Sequence, residues 1–166
     1  ARPNQRKKET NDVQLKSDLE KAAKSGKKLC ARVIAQYQDF NAGRAVMAYG
    51  RLLVMRTTLD AEHVPHSALD AALAVLEPTL REQHIPVFDG QQCAKMLHML
   101  AKTRRRRPYA KMLHALEERS LSILDDFKPQ QIANTLWAFA KLGLTPSEVL
   151  VVGLTAQAVA VRDDFI

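Results

Sequence analysis

The chain has 166 residues, 46% of them apolar and 5% aromatic, with six glycines and a formal charge of +7. A domain of this length buries roughly 70% of its unfolded surface, and a composition rich in Ala and Leu but poor in Gly and aromatics excludes an all-β sandwich and points to helices. The longest apolar stretch, residues 149–161, is interrupted by Thr155 and Gln157, so hydropathy marks no membrane span.

The charge is uneven. Residues 1–30 hold nine Lys/Arg against four Asp/Glu, and the other 136 hold 16 against 14. Residues 1–12 read as a basic, flexible arm, either what a cleaved transit peptide leaves behind or the start of a fragment. Residues 13–39 read as two helices that meet around Gly26. Cys30 and Cys93 are too far apart in sequence for a knuckle and form no disulfide framework; both sit in apolar helical stretches and read as small buried residues.

From Phe40 the chain repeats itself. "FKPQQIANTLWAFAK" from Phe127 lies on "FDGQQCAKMLHMLAK" from Phe88 without a gap, and the offset is 39 residues. Phe165, in a second "DDF", follows Phe127 at an offset of 38. "FNAGRAVMAYGRLLV" from Phe40 fits the frame more weakly, 48 residues before Phe88, and the polar stretch 56–65 reads as its insertion. The units are therefore about 40–87, 88–126 and 127–164 within a helical-repeat domain spanning 13–166.

Each unit reads as two helices. In the first, the second helix starts after Pro65, and Pro78 is expected to kink or split it. In the next, the second helix starts after Pro108. In the last, Pro129 opens the first helix, Gly143 stops it, and Thr145, Pro146 and Glu148 read as cap, first position and capping-box partner of the second. A two-helix unit cannot bury both apolar faces alone, whereas stacked units share one continuous core. The expectation is all-α: an α-solenoid of antiparallel helix pairs in a right-handed stack, about eight helices in all.

The Phe127–Gly143 segment, with its proline, paired glutamines and "ANTLWA", resembles the signature helix of octotricopeptide repeats and of the related helical repeats that precede RAP domains in organellar proteins. The resemblance is strongest over 125–165, fair over 85–124 and weak before that. It implies a solenoid acting on RNA in a mitochondrion, favoured here, or a chloroplast, in the matrix or stroma. It also implies membership of a larger ribonucleoprotein, such as an organellar ribosome, or a part in RNA maturation.

A 100° wheel of the last signature helix puts Ile132, Leu136, Phe139 and Ala140 on an apolar side, flanked by Ala133 and Trp137. It puts Gln130, Asn134, Ala138 and Lys141 opposite. The previous unit offers Gln91, Lys95, Met99 and Lys102 at the matching polar places, and the first unit departs from the pattern with Gly43, Met47, Arg51 and Val54. Gln91, Lys95, Gln130 and Asn134 are the candidate base-contacting residues, since helical repeats read bases with side chains at fixed pitch. Arg104, Arg105, Arg106 and Arg107, with Lys102 and Lys141, are the candidate phosphate contacts. Four arginines exceed what a helix C-terminus calls for, and their planar donors suit phosphate. Trp137 reads as packing between units, with His98 at its repeat position. No phosphate loop, nucleophile elbow, carboxylate pair or metal-ligand spacing is present, so neither enzyme activity, a cofactor nor a metal is expected. The competing expectation is a protein–protein scaffold subunit that touches no RNA.

Overall fold

The computed structural model describes residues 26–57, 64–103 and 109–162. The described residues form seven α-helices and no strand: α1 (Gly26–Gln36), α2 (Ala42–Thr57), α3 (His66–Thr79), α4 (Gly90–Lys102), α5 (Ala110–Ser122), α6 (Pro129–Leu142) and α7 (Glu148–Ala160). No helix is long and apolar enough to cross a membrane, among the described residues. The basic arm and the helix expected over 13–25 lie outside them.

Helices α2, α4 and α6 lie in a row, with α4 packed on α2 and, most extensively, on α6. Helices α3, α5 and α7 accompany them, and α1 packs on α3 and α2. One hydrophobic core runs through the row, from Leu29 and Val33 to Leu150 and Leu154.

The period rests on the phenylalanines. Phe40, Phe88 and Phe127 are all buried, each in extended backbone just before α2, α4 or α6. The Phe88 carbonyl accepts from Arg119 Nε at 2.8 Å, and the Phe127 carbonyl accepts from Gln157 Nε2 at 3.1 Å. Arg119 on α5 and Gln157 on α7 are themselves repeat equivalents, so the joint is tied the same way twice. The paired glutamines divide their work. The second of each pair caps its helix: Gln92 Oε1 accepts from the Asp89 N–H at 3.1 Å, and Gln131 Oε1 from the Lys128 N–H at 3.0 Å. The first of each pair, Gln91 and Gln130, is exposed.

Three expectations are corrected. The extra length of the first unit is not confined to 56–65, of which residues 58–63 lie outside the described ones. Much of it lies in the helices, because α2 has 16 residues against 13 in α4. In addition, the 14-residue α3 runs straight into a five-residue π-turn, Leu80–His84, where α5 has 13 residues. Pro78 takes the N–H that would serve the exposed Ala74 carbonyl, and the π-turn follows it within two residues rather than a break. The cap of α7 is Ser147, not Thr145: its hydroxyl accepts from the Leu150 N–H at 3.3 Å. Ser147 is held there because its own N–H donates to Glu117 Oε1 of α5 at 2.6 Å. Gly143 does stop α6, in the left-handed region at φ 61°.

The third correction concerns the wheel of α6. Leu136 is 38% exposed, Ala140 is exposed too, and Ala138, assigned to the polar side, is fully buried. A two-sided wheel fails because a helix within a row has a rear neighbour, a forward neighbour and an inner one. Ala138 occupies the place of Met99, which faces backwards: a Cβ on Gly50 of α2 would meet Met99 Sδ. Leu97 of α4, the equivalent of Leu136, is fully buried. Leu97→Ala is therefore expected to cost about 2–5 kcal/mol, and Leu136→Ala under about 1 kcal/mol, with urea unfolding of the two variants as the measurement.

Candidate functional site

Helices α4 and α6 each carry one outward line of side chains at helical spacing. On α4 it runs Gln91, Lys95, His98, Lys102, and on α6 Gln130, Asn134, Trp137, Lys141, each residue 39 positions from its counterpart. Gln91, Lys95, Lys102, Gln130 and Lys141 are exposed, and His98 and Asn134 are half-buried. Trp137 is 42% exposed. The two lines are brought side by side, because the His98 and Trp137 rings stack with centroids 4.7 Å apart and planes 28° from parallel. The result is a ladder of paired polar rungs with one aromatic rung, and lysines near both ends.

The candidates Gln91, Lys95, Gln130, Asn134, Lys102 and Lys141 thus share one surface. Met99 does not belong to it, being turned towards α2. Wheel reasoning missed His98 and Trp137 as members of the line. The available signal was that both occupy one repeat position, which aligned helices must place in contact. Trp137 does pack between units, and it keeps a large exposed face as well. Arg104 to Arg107 lie outside the described residues; by sequence they begin after Thr103, the C-cap of α4. On α2 the line would run Gly43, Met47, Gly50 and Val54; Met47 is half-buried, Gly50 is buried against Met99 and Val54 is exposed, so the line loses its polar character there.

Both cysteines are buried. Burial pushes the Cys93 thiol up to about 12, with the Ser120 hydrogen bond acting weakly the other way, so it offers no thiolate near neutral pH. Among the described residues no three His, Cys, Asp or Glu side chains come together as a metal site.

His98 is the ionisable member of the ladder. Burial holds its pKa below the usual 6.5, and Lys102 one turn along acts in the same direction. Its Nδ1 is enclosed without a hydrogen-bond partner. The neutral ring that stacks on Trp137 therefore persists to lower pH than a free imidazole would.

Comparison with protein-family models, with curated proteins and with solved structures returns no match.

The lowered His98 pKa sets a sign. Between the folded pKa and 6.5 the unfolded chain binds more protons, so His98 costs stability as pH falls through that window and nothing above it. Trp137 emission is expected to be quenched as the imidazolium forms, with a midpoint below 6.5. In His98→Gln the transition should be absent, as a fluorescence titration would read directly.

Proposed function

We propose that this chain is an RNA-binding helical-repeat protein, and that its row of helices is a short α-solenoid of the pairs α2–α3, α4–α5 and α6–α7. The observation that carries this reading is the ladder on α4 and α6, with Trp137 at its centre, stacked on His98 and 42% exposed. An exposed aromatic face accepts any base, lysines beside it attract the backbone, and Gln or Asn side chains at fixed pitch reach base edges. Arg104 to Arg107 add four positive charges to the sequence just after α4.

The resemblance to octotricopeptide repeats supports a place in a larger ribonucleoprotein, such as an organellar ribosome, or a part in RNA maturation. An organelle, a mitochondrion before a chloroplast, is supported by the resemblance to octotricopeptide repeats and by the basic arm. The reading assigns no catalytic step. A second reading, a protein scaffold without RNA contact, draws on the apolar surface of α7, where Val149, Val152 and Val159 are each more than 60% exposed.

Binding of fluorescent single-stranded RNA tests the two readings. Trp137→Ala should weaken it by about 1–3 kcal/mol, the usual loss for one stacked base. Replacing Lys95, Lys102 and Lys141 by Gln should reduce the slope of log affinity against log salt by about two. Replacing Arg104 to Arg107 by Gln should reduce it by roughly three. If the chain binds no RNA at low salt, or if the slopes do not change, the scaffold reading takes precedence.

A further inference from the structure

Each helix of the row presents a forward face one step round from its outward line. On α4 it comprises Gly90, Ala94, Leu97 and Ala101, which are all buried. Two contacts show that α6 and its joint cover this face. A Cβ on Gly90 would come within 2.8 Å of Gln131 Oε1 and 3.3 Å of the Phe127 ring. At the other edge of the face, His98 stacks on Trp137. On α2 the equivalent residues are Val46, Tyr49 and Leu53, also buried, with Gly50 beside them meeting Met99 of α4. The same face thus occurs twice and is twice covered by the next helix of the row.

On α6 the face recurs a third time as Ala133, Leu136 and Ala140, and all three are exposed. Leu144, just beyond Gly143, continues the apolar surface and is 36% exposed. Helix α7 extends the pattern. Its buried residues are Leu150 and Leu154, the places of Met112 and Leu116 on α5, yet valines and alanines cover its other sides. A helix apolar all round belongs in an interior. Leu113 of α5 is buried, whereas Val151, its equivalent, is exposed.

We propose that the forward face of α6 and α7 is a docking surface for one further helix pair of this same repeat, packed on α6 as α6 packs on α4. The occupant is specified by what α6 itself presents backwards, namely Thr135, Ala138 and Leu142, small or medium side chains that are all buried. Small residues are needed on at least one side of the contact, because the receiving face is Ala–Leu–Ala and lets the helices approach closely. A residue at the repeat position of Trp137 would come to lie on Trp137, as Trp137 lies on His98.

The test grafts the chain's own last hairpin onto itself and uses no RNA, so its failure is distinguishable from a failure of RNA binding; its success would move the open aromatic face of the outward line from Trp137 to the docked pair. Residues 128–162 are appended after Phe165, with the tryptophan of the appended copy changed to Phe, which leaves Trp137 as the only tryptophan. The expected result is a helical gain matching the added length, a blue shift of Trp137 emission and at least a twofold fall in its quenching by iodide. Leu136→Glu in the extended chain should reverse the last two. An appended hairpin that stays unfolded, or that folds and leaves Trp137 emission and quenching unchanged, overturns the proposal. So does a parent chain that sediments as a dimer whose dissociation exposes Trp137, since the occupant would then be a second copy meeting the face in another geometry.

Discussion

Everything in this structure hangs on the joint where a buried phenylalanine precedes each helix of the row. Phe40, Phe88 and Phe127 each open a unit, and each ring is buried. Burying one such ring contributes about 1.5–3 kcal/mol. Its backbone is extended, so its carbonyl has no helical partner and would be costly to bury alone. Arg119 and Gln157 meet that need from the second helix of the following unit. One bond therefore fixes the first and second helices of a unit relative to each other, and sets the rotation at which the outward line faces solvent.

That rotation gives the row its division of labour. A helix with a neighbour behind, a neighbour ahead and a partner inside has a single free side. Gln91, Lys95, Lys102, Gln130 and Lys141 lie there and are exposed. The capping glutamines illustrate the distinction. Gln92 and Gln131 are occupied by backbone donors, while Gln91 and Gln130, one residue earlier, are not so engaged. The aromatic rung lies between the two roles, because Trp137 locks α6 to α4 with one face and leaves another open.

The first unit departs from the later ones for a reason of packing. Its longer α2 and α3 are tied by Arg56 Nε to Asp70 Oδ1 at 2.7 Å, near the C-terminal end of α2. The π-turn Leu80–His84 and a short turn Ile85–Val87 then join the lengthened α3 to Phe88. Gly50 and Val54 then stand where α4 has His98 and Lys102, and the polar ladder does not extend onto α2.

The sequence by itself determined the helical class, the 39-residue offset between the last two units, the phenylalanine joints, the start of α6 at Pro129 and its stop at Gly143. These are local or periodic features, legible wherever backbone chemistry or self-similarity is strong. It also put Gln91, Lys95, Gln130 and Asn134 at equivalent places of two helices that prove to be neighbours. Only the tertiary structure decided which apolar residues are inside. Leu97 and Leu136 are the same residue at the same repeat position, and one is fully buried while the other is 38% exposed. Nothing local distinguishes them; the difference is the helix that lies on the first and not on the second. Likewise Ala138 is buried by the helix behind it and Ser147 is made a cap by a glutamate 30 residues away, since burial and capping depend on neighbours that a wheel of one helix does not contain.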